Sequence, residues 1–272
     1  MEAREPVGAP GTVPGEPVVD TYVERGPAAY VAEFIGTFAL VFFITMVVSL
    51  FITAPSPNAP VQPFVDWSVI GLVHAFVLFM LIMTLAVISG AHFNPAITVA
   101  LMAIRQIRPP EALVYIVLQL AGAICGALLT KALLTHFDNA STVHYGAPGV
   151  GPGLNHSIFL GALAEGVGTF FLVWAVIGVA VSPAGLKDWS GLAIGTTLGL
   201  IVMDFGSLTG AGVNPARSFG PALVGHHWDG PGHFVWVYVV GPVVGGLVAA
   251  LLYTYVFTTP GKKGVAGMEP VG

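Results

Sequence analysis

Two tripeptides carry the clearest chemistry in the chain, Asn94-Pro95-Ala96 and Asn214-Pro215-Ala216. Asn is a favoured helix N-cap and Pro a favoured first helical residue, so each triplet marks a helix start after a small-residue loop. A single Asn-Pro pair usually means only a turn. Here each copy opens a short apolar stretch, near 94–104 and 214–224. If the two helix starts point at each other, their positive dipole ends converge and the Asn amides can donate into whatever lies between them. A water molecule held there turns its oxygen to both amides, which interrupts a proton-conducting file and repels cations. Arg217, three residues after Asn214, brings a guanidinium to the same place. A charged side chain inside an apolar span costs about 2.5–3.5 kcal/mol on insertion scales. It reads either as the partner of a carboxylate that holds a loop, or as a cation lining a wet constriction.

The elements that must position these groups follow from composition. The 272 residues are 55% hydrophobic and only 8% charged, with a mean hydropathy of +0.85. A soluble domain carries about 25% charged residues, so most of this exterior must face lipid. A net charge of −5 gives no basic patch, and nucleic acid is excluded as a partner. Six segments are long enough to cross a bilayer as helices: roughly 30–50, 67–88, 112–134, 157–181, 189–208 and 233–257. The two shorter stretches lie between the second and third spans and between the fifth and sixth. Short segments at matching places in two halves are the mark of broken helices that meet at the midplane. Residues 1–28 and 258–272 read as cytoplasmic tails, the first of them disordered.

The halves, about 29–134 and 157–257 within a single domain of 29–257, echo one another. Ala32-Glu33 and Thr37-Phe38 return as Ala164-Glu165 and Thr169-Phe170; Trp67-Ser68 returns as Trp189-Ser190; Ser89-Gly90-Ala91 returns as Thr209-Gly210-Ala211; Val114-Tyr115 returns as Val237-Tyr238. Three spans per copy is an odd number, so the second copy inserts upside down. The expected fold is all-α: six transmembrane helices plus two re-entrant half-helices in an inverted repeat. Arg4, Arg25, Arg105, Arg108, Lys187, Lys262 and Lys263 all fall on one side of that topology, which is therefore the expected cytoplasmic side with both termini. Lys131 is the exception and is expected to snorkel outward from the third span.

These motifs are similar to those of the major intrinsic protein (aquaporin) family, from about Tyr30 to Phe257. The resemblance rests on the two Asn-Pro-Ala boxes, Ala-Glu-x-x-x-Thr in each half, and Asn-Pro-Ala-Arg-Ser-Phe-Gly-Pro-Ala in the second box. It implies a pore in every subunit, a homotetramer, and passive passage of water, with ammonia, hydrogen peroxide and other small neutral solutes as further candidates. It also implies a four-residue outer filter, which the family's spacing places on His74, Val202, Ala211 and Arg217, resembling the plant vacuolar subfamily. His92 falls in the vestibule, and Glu33 and Glu165 fall where family members hold the re-entrant loops with buried carboxylates. Ser218 after the filter Arg favours the water-channel branch over glycerol passage, and Ala211 leaves no filter thiol for mercury.

The competing class is an ion- or proton-coupled transporter, because broken helices serve that class as well. An enzyme is not expected, since no Ser-His, paired-Asp or His-Glu-x-x-His set lies on any span. Asp204, late in the fifth span, is expected to pair with Arg217 or a loop amide, the alternative being that it marks a proton-coupled carrier. His136, His144 and His156 are expected as exposed loop residues without zinc spacing, and the single Cys125 as a packing residue. No metal and no cofactor are expected, and a plasma or bacterial inner membrane is the default location.

Overall fold

The computed structural model describes residues 25–53, 64–230 and 232–257. Most of the two tails therefore lies outside the described residues, as do Arg4, Lys262 and Lys263.

Among the described residues six helices are long and apolar enough to cross a membrane. They are α1 (Pro27–Phe51), α2 (Trp67–Ser89), α4 (Pro109–Leu133), α6 (Ile158–Val176, continued by a wider turn, Ile177–Val181), α7 (Ser190–Thr209) and α9 (His233–Phe257). Two half-length helices, α3 (Pro95–Ala103) and α8 (Pro215–Val224), fall where the boxes predict them. A short helix α5 (Asp138–Thr142) lies in the central connection. The described β structure is one two-residue antiparallel ladder, β1 (Ile52–Thr53) with β2 (Phe64–Val65).

Helix ends follow local chemistry. Asp66 caps α2 by accepting from the amides of Ser68 and Val69, both at 3.0 Å. Left-handed Gly90 and Gly210 terminate α2 and α7 at matching points of the two repeats. The principal helix pairs are α1 with α4, α6 with α9, and α2 with α7, while α8 packs on α4 and α3 on α9. Exchanging the halves turns the first pair into the second and maps the third onto itself, as an inverted repeat requires. Each half-helix therefore leans on a spanning helix of the other half.

Close approach fixes the loops against the spans. In α1, Gly36 lies against the Phe93 ring where any side chain would collide. The matching Gly168 of α6 would place a Cβ 2.8 Å from Val213 Cγ1. Outward faces stay apolar, with Val31, Ile35, Phe76, Phe171, Leu200 and Val244 exposed, as lipid contact demands.

Three expectations need correction. Asp204 is exposed on α7 and makes no hydrogen bond or ion pair among the described residues; Arg217 instead donates to a backbone carbonyl. Cys125 points outward from α4 instead of packing inside, because its neighbours Ala123 and Ala127 take the buried positions. Lys131 does not snorkel away from the protein: its Nζ donates to the Val224 carbonyl at 3.2 Å.

Candidate functional site

The site begins with strain. After α2 the chain turns through Ala91 and Phe93 with φ of 51° and 47°, and after α7 through Ala211 and Val213 with φ of 44° and 41°. Left-handed non-glycine residues are costly, and they persist only where surroundings over-determine them. Two buried carboxylates do so. Glu33 Oε1 accepts from the His92 amide and the Ser89 hydroxyl, and its Oε2 from the Phe93 amide and Gln119 Nε2, all within 2.7–2.9 Å. Glu165 Oε1 accepts from the Thr209 hydroxyl and the Gly212 amide, and its Oε2 from the Val213 amide. The Ala-Glu-x-x-x-Thr motif gains a local reason as well: Thr37 and Thr169 donate back to the carbonyls of Glu33 and Glu165 at 2.8 Å each. Tyr115 and Tyr238 repeat the symmetry, each donating at 2.8 Å to the last residue of a span, Ser89 or Thr209.

These turns aim the two helix starts at one another. Asn94 Oδ1 caps α3 through the Ala96 amide at 2.9 Å, and Asn214 Oδ1 caps α8 through the amides of Ala216 and Arg217 at 3.0 and 3.2 Å. Each Asn Nδ2 also donates across to the opposite loop, Asn94 to the Val213 carbonyl and Asn214 to the Phe93 carbonyl, both at 2.9 Å. A side-chain amide has two N–H donors. One is spent on this tie, so one per Asn remains for the space between them. The bare sequence left both free.

That space is a narrow cavity with about 20 Å³ of room for the centres of water-sized molecules, enough for one or two waters. Asn94, Asn214, His74, His92, Gly212 and Arg217 line it together with apolar Leu40, Ile44, Leu78, Ile97, Leu172 and Leu198. His92 also borders a roomier vestibule of about 430 Å³, shared with Arg25, Gln106 and Lys187. Val202 and Ala211 are buried, at 1% exposure each, but the wall of this cavity carries Leu198 and Gly212 instead. The apolar walls were legible only through the repeat: Leu40 matches Leu172, Leu78 matches Leu198, and Ile97 stands where the second half has Arg217.

Two wall residues keep a polar atom free. His74 Nδ1 lies 2.8 Å from the Ile70 carbonyl. A carbonyl can only accept, so Nδ1 carries the proton, and in the neutral ring Nε2 is an acceptor. That Nε2 is buried without a partner, and so is Arg217 Nε, a donor. Arg217 Nη1 is held by the Gly146 carbonyl at 3.2 Å. The loop carrying that carbonyl had no sequence signal, and it contains His144 and Tyr145, with φ of 51° and 52°. His144 is half-buried with its ring stacked on His227, centroids 4.0 Å apart, so it is not a free loop histidine; His136 and His156 are exposed. Burial and the neighbouring His227 hold the His144 imidazole below its ordinary pKa. Among the described residues no group of His, Cys, Asp or Glu could hold a metal ion.

An inverted repeat of membrane-spanning helices, with two capped half-helices meeting over a water-sized cavity, defines an integral multi-pass channel protein. The chain belongs to the major intrinsic protein family, whose model matches residues 25–253. It is 39% identical over 242 residues to a probable aquaporin AqpM of Archaeoglobus fulgidus, covering 83% of this chain and 95% of that one. It is 34% identical to a probable aquaporin TIP2-2 of rice, Oryza sativa, covering 92% and 95%. The fold is also that of the aquaglyceroporin of Plasmodium falciparum, with a TM-score of 0.69 over 84% of this chain and 96% of that one, at 24% identity. The protein is thus a channel for water or small solutes and not an enzyme.

Proposed function

We propose that water is the main permeant, with ammonia, hydrogen peroxide and other small neutral solutes behind it, and that protons and ions are excluded. The observation that carries this reading is the pair of unpartnered atoms, His74 Nε2 as acceptor and Arg217 Nε as donor, on the wall of an otherwise largely apolar cavity. Water both donates and accepts, so it satisfies the two at once. A cation meets the guanidinium and the converging positive ends of α3 and α8. The filter comprises His74 and Arg217, with Val202 and Ala211 assigned by the family's spacing. Asn94-Pro95-Ala96 and Asn214-Pro215-Ala216 form the midplane constriction, and His92 stands at the vestibule.

A proton-coupled carrier would need a relay of free ionisable groups. Both oxygens of Glu33 and of Glu165 are occupied by fixed donors, and Asp204 sits on the outer surface. The subunit assembles as a homotetramer, which the exposed apolar helix faces suit, in a plasma or bacterial inner membrane. Arg25, Arg105, Arg108 and Lys187 make their side cytoplasmic, together with both termini.

Stopped-flow light scattering on proteoliposomes tests the reading. Faster shrinkage under an impermeant osmolyte is expected, with an imposed proton gradient leaving solute uptake passive. Arg217→Val should admit larger or charged species. Vesicles as osmotically tight with the protein as without it would refute the proposal.

A further inference from the structure

Lys131 lies in the last turn of α4, and its Nζ donates to the carbonyl of Val224, the final residue of α8. The three preceding α8 carbonyls are served by backbone: Pro221 accepts from Gly225, Ala222 from His227 and Leu223 from His226. Val224 is the carbonyl left over, and a cation at a helix C-terminus interacts favourably with its dipole. The same ammonium lies 5.4 Å from the centroid of the Tyr145 ring. Tyr145 packs against the apolar cluster formed by Ala216 and Val224 of α8, Ala123 and Ala127 of α4, and Val41 of α1. It immediately precedes Gly146, whose carbonyl holds Arg217 Nη1.

We infer that Lys131 is a positioning residue for the outer constriction, tying the end of α8 and the Tyr145–Gly146 turn into one rigid support for Arg217. It touches no permeant. Its removal leaves α8 and the loop free to part, so the Gly146 carbonyl no longer fixes the guanidinium and the passage between His74 and Arg217 widens. This rests on the proposed role of Arg217 in selection.

The test compares the urea-to-water permeability ratio of proteoliposomes holding wild type, Lys131→Met, Lys131→Arg, Tyr145→Leu and Arg217→Val, each at matched thermal midpoint. Lys131→Met is expected to raise the ratio roughly threefold to tenfold, the scale of one ordinary net hydrogen bond. Lys131→Arg should restore the wild-type ratio, a recovery that general loss of packing would not give. If Lys131→Met does not fold, Tyr145→Leu decides: it keeps apolar packing, removes the ring beneath the ammonium, and should raise the ratio less. An unchanged ratio in Lys131→Met, or in Tyr145→Leu where that variant decides, while Arg217→Val changes it, overturns the inference and leaves the filter standing. An unchanged ratio in Arg217→Val removes the filter reading itself, and the inference with it.

Discussion

Asn94 and Asn214 hold each other's loops: each side-chain amide donates at 2.9 Å to the carbonyl of the residue that precedes the other. The two half-helices are thus tied crosswise at their tips. Their Oδ1 atoms meanwhile cap their own helices, so each Asn serves as a local cap and a long-range tie together.

Replacing either Asn by Ala should lower thermal stability in detergent by about 1–2 kcal/mol from the lost cap alone. Because the two share both loops, the double variant should depart from additivity by roughly 0.5–3 kcal/mol. Strict additivity in a double-mutant cycle would mean that the crosswise tie contributes nothing.

Glu33→Gln turns an acceptor oxygen into an NH2 group that faces fixed donors, whichever way the amide is flipped. The buried His92 or Phe93 N–H then loses its acceptor, at a cost of about 1–3 kcal/mol, and the second donor on that oxygen, Ser89 or Gln119, loses its partner as well. Glu165→Gln should behave alike. A variant melting with wild type would show that the loops hold their left-handed residues without these carboxylates.

Gly36→Ala drives a methyl group into the Phe93 ring, and Gly168→Ala drives one toward Val213. Overpacking of this kind costs about 1–3 kcal/mol. A Cβ at residue 36 would come closer to the Phe93 ring than one at residue 168 to the Val213 methyl, so Gly36→Ala should be the more damaging; the reverse order in melting experiments would contradict the packing described.

Acid should loosen the loop that carries His144. The folded loop holds His144 below its ordinary pKa, whereas the unfolded chain titrates near about 6.5. Below that value the unfolded state binds more protons, so stability falls with falling pH; above it the effect vanishes. His144→Gln should therefore lose less of its thermal midpoint between neutral and acidic buffer than wild type. An identical loss would show that this imidazole takes no part.

The apolar lengths, the twin boxes and the four echoed motifs specify the six spans, the two half-helices and the inverted insertion without any coordinates, because lipid leaves the backbone few alternatives. Repeat matching would also have reached Leu40 with Leu172 and Leu78 with Leu198. Contacts between segments far apart in the chain come from the folded packing alone. Spacing alone could not say that Arg217 is held by the Gly146 carbonyl, that Lys131 closes the end of α8, or that Asp204 faces outward. A backbone carbonyl carries no residue signature, and a side chain's facing depends on which helix packs beside it. Those facts are set by the packing of α4, α8 and the central connection, not by the residues taken one at a time.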